Sequence, residues 1–179
     1  MATSEKCTGV LGREMIMKKL ASGEVVVTPA EGVVIGPASI DLTLADEFRY
    51  FTTAPNTIDI KEETDYKDFT ERVLVPPGEY YMLLPGQSCL AITRETIKLP
   101  HTLCGLLEGR SRFARLGLFV HITASFINPG INNRQVLEIF NSSNRGVKLY
   151  PGTRICQLVL MTVEGAPAYS GRFGLQSSL

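Results

Sequence analysis

An arginine-rich loop is the first feature of the sequence with the residues for chemistry. The stretch EGRSRFARLG places Arg110, Arg112 and Arg115 within six positions, next to Ser111 and between two glycines. Guanidinium groups offer forked donors to phosphate oxygens, and glycines let a backbone turn tightly. The stretch matches no Walker or dinucleotide-binding loop. Two interpretations therefore remain for residues 110–115, the arginine loop: a phosphate-binding site or a solvated basic turn.

A single carboxylate stands within an apolar strand sequence. In QVLEIF, strand alternation puts Glu138 on the same face as Val136 and Phe140. A carboxylate between valine and phenylalanine is costly to bury unless it is paired or used. Burial raises the pKa of a carboxyl group, whereas a nearby arginine lowers it. The balance of these two effects would let Glu138 take a proton from water and pass it on. A buried Glu–Arg ion pair is the structural alternative.

Two other kinds of catalytic site have little support. The chain has two histidines, His101 and His121, and four cysteines without Cys-x-x-Cys spacing. The zinc-ligand patterns of structural sites and of zinc-dependent nucleobase deaminases are therefore absent, and we predict no protein-bound metal. Ser111 does not lie in a Gly-x-Ser-x-Gly elbow, which argues against a Ser-His-acid triad. We interpret His121, in the strand sequence FVHIT, as a hydrogen-bonded core residue.

Composition limits the size, charge and setting of the protein. Its 179 residues predict one domain, and 18 basic against 18 acidic residues leave no broad basic field for nucleic acid, so any bound anion is expected to be small. The cysteines lie far apart, which indicates reduced thiols in an intracellular protein. No stretch approaches the roughly 18 apolar residues of a membrane span, and no leader is recognisable. We expect a cytoplasmic protein without membrane contact.

One helix and many short strands are predicted to position these residues. The helix is expected in GREMIMKKLASGE, where Ile16 and Leu20 share a face and Gly23 can end it. Pro-Gly turns separate segments rich in Val, Ile, Leu, Tyr and Thr, which is typical of an all-β barrel or sandwich. The predicted strands are EVVVTP, SIDLTL, YYMLL, CLAIT, FVHITASFI, VLEIF, VKLY and ICQLVLM. The polar, acidic residues 52–72 are interpreted as a solvated surface excursion.

Several of these stretches together resemble the dCTP deaminases of the dUTPase superfamily. The stretches are GPASIDLTL, LAITRETIKLP, EGRSRFARLGLFVHITASFINPG, VLEIFNSS and LYPGTRICQLVL, in the family's order from about residue 10 to 176. The resemblance implies a mainly β, distorted β-barrel or jelly roll of the dUTPase-like β-clip kind. It also implies a homotrimer with active sites between subunits, no zinc, and Mg²⁺ bound through the nucleotide triphosphate.

In the family, a GRSSxxR loop binds the triphosphate. By resemblance the corresponding residues are Arg110, Ser111, Arg112, Phe113, Ala114 and Arg115. Arg112 stands where the family has a second serine, which adds charge beside the phosphates. The resemblance makes Glu138 the proton shuttle for water attack on C4 of cytosine. Ser111 and the carbonyl of Ala124 would hold that water, and Arg115 would orient Glu138 and stabilise developing negative charge.

The remaining contacts follow from the same resemblance. Val136 and Leu137 would present backbone groups to the pyrimidine, and Gln157 would contact the phosphates. Asn128 occupies the position of an aspartate that, in the superfamily, packs against the deoxyribose and is tied to pyrophosphate release by dUTPases. An amide can hydrogen-bond a sugar hydroxyl but cannot accept a proton as a carboxylate does.

The last residues of the chain resemble a segment that closes over the nucleotide. The single domain is expected to span residues 1–179, with 165–179 as a mobile C-terminal tail. The family reads Tyr, several residues, then KYxxQ, and here Arg172 replaces the lysine ahead of Gln176. Tyr169 stands closer to that motif than the family spacing, so its nucleotide contact stays open.

Three functions remain as hypotheses. The first is zinc-independent deamination of dCTP to dUTP and ammonia, feeding dUMP and dTMP synthesis. The second is dUTP hydrolysis to dUMP and pyrophosphate, alone or after deamination in a bifunctional enzyme. The third is a non-catalytic trimer that binds dCTP or dUTP. The sequence leaves open whether dTTP inhibits the protein.

Overall fold

Antiparallel β-strands make up most of the chain. The structure is a computed structural model that describes residues 9–53, 57–165, 171 and 176–179. Its elements in chain order are α1 (Arg13–Ala21), β1 (Val26–Thr28), β2 (Val34–Ile35), β3 (Ile40–Phe51), a 3₁₀ helix (Tyr66–Phe69), β4 (Thr70–Leu74), β5 (Tyr81–Leu83), β6 (Ser88–Lys98), β7 (Leu103–Gly109), α2 (Ser111–Ala114), β8 (Leu118–Val120), β9 (Phe126–Ile127), β10 (Asn132–Asn141), β11 (Val147–Leu149) and β12 (Arg154–Thr162).

A curled sheet of ten strands encloses the core. Seven strands follow the order β8-β10-β6-β3-β12-β7-β9, while β1 pairs with β6, and β2 and β4 pair with β3. The strands β5 and β11 form a separate two-stranded sheet, tied to the core where Phe48 stacks on Tyr81 with ring centroids 4.7 Å apart. Leucine, isoleucine and valine side chains fill the interior. The mainly β architecture predicted from the sequence is confirmed.

The predicted helix is also confirmed. Helix α1 buries Ile16, carries Glu14 in its first turn and has two lysines in its last turn, where each charge complements the helix dipole. The chain leaves the helix through Gly23 at φ +74°, a left-handed conformation that glycine adopts without a steric cost. No helix within the described parts of the chain has the length and apolar character needed to span a membrane.

The prediction of one strand over FVHITASFI is wrong. The structure has two short strands there, β8 and β9, and residues 121–125 between them carry no strand pairing. His121 has φ +57°, a conformation that only a few per cent of non-glycine residues adopt and that turns the chain out of β8. Side-chain apolarity alone did not indicate this break.

Three strands, β2, β4 and β7, were not predicted, and β7 depends on a glycine. Gly105 lies in β7, where an added Cβ would come within 2.6 Å of Leu158 Cδ1 and 2.9 Å of the carbonyl oxygen of Val159 in β12. A glycine inside a strand usually counts against strand prediction, yet here it permits the close approach of two paired strands. Of the other two, β4 begins at Thr70, within the segment interpreted as a surface excursion, and β2 is a two-residue strand that pairs with β3.

The excursion is only partly irregular. Its second half forms the 3₁₀ helix, whose Asp65 side chain accepts a hydrogen bond from the backbone N–H of Lys67. The guanidinium of Arg49 lies 5.7 Å from the ring centroid of Tyr66 and holds that ring from one side. The excursion therefore brings an aromatic ring to a defined position instead of lying free in solvent.

Candidate functional site

A cavity of about 470 Å³ opens beside strand β10. Its wall includes residues from β10, from the 121–128 segment, from the 3₁₀ helix and from residue 176. Those that matter for chemistry and recognition are Tyr66, His121, Ala124, Asn128, Val136, Glu138 and Gln176. From this strand the cavity is lined by residues 133–136 and by Glu138, of which 133 and 135 are buried and 134, 136 and 138 are half-buried.

Glu138 and His121 approach each other in the cavity wall. Oε2 of Glu138 lies 2.8 Å from Nδ1 of His121. Both atoms are shielded from water, and the imidazole is not aligned for a hydrogen bond to the carboxylate. The Glu138 side chain as a whole is 42% exposed, so it is less enclosed than its apolar neighbours in sequence predicted. The contact therefore places the imidazole directly against the carboxylate, while the rest of the Glu138 side chain stays open to the cavity.

The sequence predicted that His121 is buried but did not predict its place in the cavity wall. It is buried, as predicted for a core residue, but it lines the cavity and contacts Glu138. Its backbone N–H donates to the carbonyl of Glu138 at 2.8 Å, which brings the two side chains together. The small and polar residues Thr-Ala-Ser that soon follow FVHI were the one available signal that the strand ends here.

The edge of β10 that faces the cavity offers backbone groups. The Glu138 carbonyl points to this edge, where it accepts from His121, and the Arg134 N–H points to it as well. Because backbone groups alternate along a strand, the N–H and C=O of Val136 lie at the same edge, between those two positions. Those of Leu137 turn the other way, toward β6, and its side chain is fully buried. The geometry thus favours Val136 over Leu137 for a backbone contact in the cavity.

Ala124 and Asn128 reach the cavity from the segment after His121. The following turn is fixed by Gly130, at φ +79°, where an added Cβ would come within 2.6 Å of the His101 ring. Asn128 is half-buried and lies on the cavity wall. The predicted pair of Ala124 and Asn128 therefore joins Glu138 in one cavity.

The arginine loop forms a second cavity on another part of the surface. Arg110 donates to the carbonyl of Arg154 at 3.0 Å and lies 3.4 Å from Oδ2 of Asp41, which fixes its guanidinium. A cavity of about 380 Å³ is lined there by Ser39, Asp41, Arg110, Ser111, Arg112 and Gln157 among others. Four residues predicted to contact phosphates, Arg110, Ser111, Arg112 and Gln157, are thus brought together.

The two cavities share no residue. Arg115 follows the short helix α2 and is exposed, and Ala114 is exposed beside it, while Phe113 packs partly against the core. Within one chain, the residue that contacts Glu138 is therefore His121 and not Arg115. Arg112 also lines an adjacent cavity of about 350 Å³ together with Arg94 and Arg154.

The remaining predicted residues fall into two groups. Gln176 lines the larger cavity, where its side-chain amide donates to the hydroxyl of Tyr66 at 3.4 Å. Tyr169 and Arg172 lie outside the described residues. Tyr66 was not predicted as a site residue, because it lies in a polar stretch without periodicity. Among the described residues, no group of three or more His, Cys, Asp or Glu is arranged to hold a metal ion.

Comparisons with known proteins agree with this architecture. The Agrobacterium tumefaciens 2'-deoxycytidine 5'-triphosphate deaminase superposes with a TM-score of 0.68 at 20% identity, over 87% of this chain and 49% of that one. The present chain thus spans about half of the Agrobacterium chain. The dUTPase of Staphylococcus bacteriophage 80alpha superposes with a TM-score of 0.52 at 14% identity, over 84% and 97% of the two chains. The fold is the dUTPase-like β-barrel.

Sequence relatives identify the family. The profile of the dCTP deaminase-like family matches residues 10–163. A protein of Methanobrevibacter smithii named "dCTP deaminase, dUMP-forming" is 39% identical over 86% of this chain and 80% of its own length. A Corynebacterium jeikeium protein of the same name is 39% identical over 89% of this chain and 86% of its own. The chain belongs to the dCTP deaminase-like family.

Proposed function

We propose that the protein is an enzyme that deaminates dCTP by hydrolysis. The observation that carries this proposal is the position of Glu138, whose carboxylate lies in the wall of the larger cavity against His121. A general acid–base catalyst must reach the reacting group from a fixed position. The Glu138 carboxylate has such a position, beside backbone groups of β10 that can recognise a nucleobase.

The proposed reaction needs one carboxylate and one water molecule. Glu138 removes a proton as the water oxygen bonds to C4 of cytosine. It passes this proton to N3, then takes the proton of the added hydroxyl and delivers it to the exocyclic nitrogen, so that the C4–N4 bond breaks, ammonia leaves and C4 becomes a carbonyl carbon. The carbonyl of Ala124 would hold the water together with Ser111 of the arginine loop. Positioned proton transfer of this kind accelerates reactions by roughly 10²–10⁴-fold.

We further propose that the active site forms between subunits of a homotrimer. Glu138 and the arginine loop line cavities with no common residue, which supports an arrangement in which a second copy of the chain brings its loop to the Glu138 cavity. Arg115, exposed in one chain, would then reach Glu138 of the neighbour and orient it. Exposed apolar side chains beside the loop, Leu116 and Phe119, suit such a contact.

The triphosphate is proposed to lie in the arginine-loop cavity. Arg110 is oriented by Asp41, and Ser111 and Gln157 supply uncharged donors next to it. Mg²⁺ neutralises phosphate charge when it arrives with the nucleotide. Such an ion keeps several waters and needs few protein ligands, which fits a cavity rich in arginine and poor in carboxylates.

Formation of dUMP is the second candidate function. The Methanobrevibacter and Corynebacterium relatives are named as dUMP-forming, which favours a bifunctional enzyme that also releases pyrophosphate. Asn128 is the residue that argues against it, because an amide cannot act as a base where dUTPases have a carboxylate. The two candidates share the deamination step and differ only in whether the dUTP product is then hydrolysed.

Incubation of the protein with dCTP and Mg²⁺ tests the proposal. We expect ammonia release in step with loss of dCTP, and the ratio of pyrophosphate to ammonia then separates dUMP formation from dUTP formation. No ammonia from a folded protein would contradict deamination. Tight binding of dCTP without any product would favour a non-catalytic trimer, and adding dTTP to an active sample tests inhibition.

A further inference from the structure

Residues 176–179 lie beside the larger cavity and are held by side chains to which the proposed mechanism gives no role. The carbonyl of Gln176 accepts from the backbone N–H of Arg134 at 2.9 Å. The carbonyl of Ser177 accepts from the Arg134 guanidinium at 3.2 Å. The N–H of Leu179 donates to Oε1 of Glu47 at 3.0 Å. Three of the four backbone positions are therefore fixed by Arg134 and Glu47.

The side chain of Leu179 fits into an apolar seat. Leu179 is 4% exposed and clusters with Ala45, Leu90 and Ile92, while Tyr66 and Val136 pack against this group. Val136 and Tyr66 also line the larger cavity. The seat and the cavity are thus built from shared residues, so the position of Leu179 bears directly on the shape of the cavity.

The two anchoring residues are charged and enclosed. Only 5% of the Glu47 side chain is exposed, and Arg72 donates to it at 2.7 Å. Burial lowers the pKa of the Arg134 guanidinium, and the Glu47 carboxylate, 4.0 Å away, acts in the opposite direction. Enclosed charges are costly unless their hydrogen bonds are used. Here Arg134 uses one of its hydrogen bonds on the carbonyl of Ser177, and Glu47 uses one of its own on the N–H of Leu179.

Docking of this segment places Gln176 in the cavity wall. The Gln176 amide donates to the carbonyl of Ser178 at 3.1 Å and to the Tyr66 hydroxyl at 3.4 Å, which holds the side chain at the cavity. Arg134 pairs with Gln176 at one end of the open edge of β10, and His121 closes the other end at Glu138. The docked segment is therefore one boundary of the space in which we propose that the nucleotide binds.

We propose that Glu47 and Arg134 are positioning residues that dock residues 176–179, with Leu179 as the anchor, and so hold Gln176 in the nucleotide cavity. This rests on the proposed function. Docking and nucleotide binding would then be coupled, so that releasing Leu179 weakens nucleotide affinity although Leu179 touches no nucleotide. The coupling would act through Gln176 and through the cavity wall that Leu179 supports.

Amide hydrogen exchange without nucleotide tests the docking itself. The substitution Leu179→Asp puts a carboxylate into an apolar seat beside Glu47, whereas Ser178→Asp adds the same charge at an exposed position. We expect the Arg134 amide to exchange at least about tenfold faster in Leu179→Asp and unchanged in Ser178→Asp. Equal exchange of this amide in wild type and Leu179→Asp would overturn the docking.

Steady-state kinetics with dCTP tests the positioning role. We expect Leu179→Asp to raise KM about tenfold with kcat within twofold, and Ser178→Asp and the conservative Leu179→Met to stay within twofold of wild type. The double substitution Gln176→Ala with Leu179→Asp should lose little beyond Gln176→Ala alone, because both act on the same contact. Fully additive losses, or an unchanged KM in Leu179→Asp, would overturn the positioning role.

A wild-type protein that does not deaminate dCTP would contradict the function, and the positioning role would then be decided by dCTP affinity in calorimetry. The same tenfold difference between Leu179→Asp and Ser178→Asp is expected there. Equal affinities, or no dCTP binding by the wild type, would overturn the positioning role, while the exchange measurement would still decide the docking.

Discussion

Nδ1 of His121 lies 2.8 Å from Oε2 of Glu138 in the wall of the larger cavity. The contact exists because the backbone of His121 bonds to the carbonyl of Glu138 and then turns away at positive φ. The contact joins His121, which the sequence assigned to the core, to Glu138, which we propose carries protons in the reaction. The pair leads to the first two predictions.

Glu138→Gln should lower kcat for dCTP deamination by about 10³-fold and change nucleotide affinity by less than about threefold. The amide keeps the shape of the side chain but cannot take a proton from water. Ammonia release gives kcat, and calorimetry with dCTP gives affinity. Glu79→Gln, the same change at an exposed loop position, is the matched control and should be neutral. Near-normal turnover by Glu138→Gln would remove the assigned role.

His121→Asn should lower kcat about tenfold and leave KM within threefold. Asparagine tolerates positive φ better than most residues, so the turn after β8 is kept while the imidazole beside Glu138 is lost. The pH profile of kcat should change in shape, because the imidazole that lies 2.8 Å from the carboxylate is lost. Thr123→Ala, an exposed position in the same segment, serves as the control. An unchanged profile with normal kcat would return His121 to a purely structural role.

Mixed trimers should recover activity from two inactive chains. If each site combines the arginine loop of one copy with Glu138 of its neighbour, Arg115→Ala and Glu138→Gln chains assembled together in equal amounts form complete sites. Random assembly in a closed ring gives roughly a quarter of the wild-type sites. Ammonia release by the co-assembled sample measures this. If the mixture stays as inactive as its components, then each site belongs to a single chain.

Asn128→Asp should raise pyrophosphate release from dUTP at least about tenfold. The position lines the cavity, and a carboxylate there can serve as the base that an amide cannot provide. Pyrophosphate and ammonia are measured separately, with dUTP and dCTP as substrates. Asn132→Asp, the same change at an exposed residue of β10, controls for added charge. Equal pyrophosphate release by wild type and Asn128→Asp would show that residue 128 does not limit this step.

Stability should fall as the pH rises from about 9 to 12. Burial raises the pKa of the Cys89 thiol from its ordinary 9.0 to about 12. Burial likewise raises the pKa of Tyr81 to about 12. Ionisation stabilises the unfolded chain above pH 9 through the thiol and above pH 10 through the phenol but does not yet stabilise the folded protein, at up to roughly 1.4 kcal/mol per pH unit and group.

Urea unfolding at several pH values between 8 and 11 measures this loss. Replacing the thiol by Cys89→Ala should make the decline shallower, whatever it does to stability at pH 8. The thiol of Cys104 is less enclosed and its pKa is also raised, so Cys104→Ala should have the smaller effect on the slope. A stability that stays constant up to pH 11 would show that both groups ionise freely in the folded protein.

Periodicity and resemblance predicted the features that depend on local sequence. The helix around Ile16 follows from apolar spacing and a stop glycine, and most strands follow from β-branched runs between Pro-Gly turns. The prediction that Ala124, Asn128, Val136 and Glu138 serve one site came from resemblance, and the structure brings these residues to one cavity.

Long-range contacts account for the features that the sequence did not indicate. The break after Val120 depends on the backbone of His121 meeting β10, to which the Thr-Ala-Ser residues that follow gave only a weak local signal. Gly105 permits β7 only because Leu158 comes close from the far end of the chain. Tyr66 reaches the cavity since Arg49 and Gln176 hold its ring and hydroxyl. Each of these depends on partners distant in sequence.

The open edge of β10 between Arg134 and Glu138 also limits which rings can be recognised. Four residues of extended strand span about 13 Å, and backbone partners occupy both ends. Because the groups on either side are already bonded, Val136 offers one N–H and one C=O to a ring, which must present an acceptor and a donor next to each other. Substitutions of the surrounding side chains should therefore alter affinity without removing this main-chain contact.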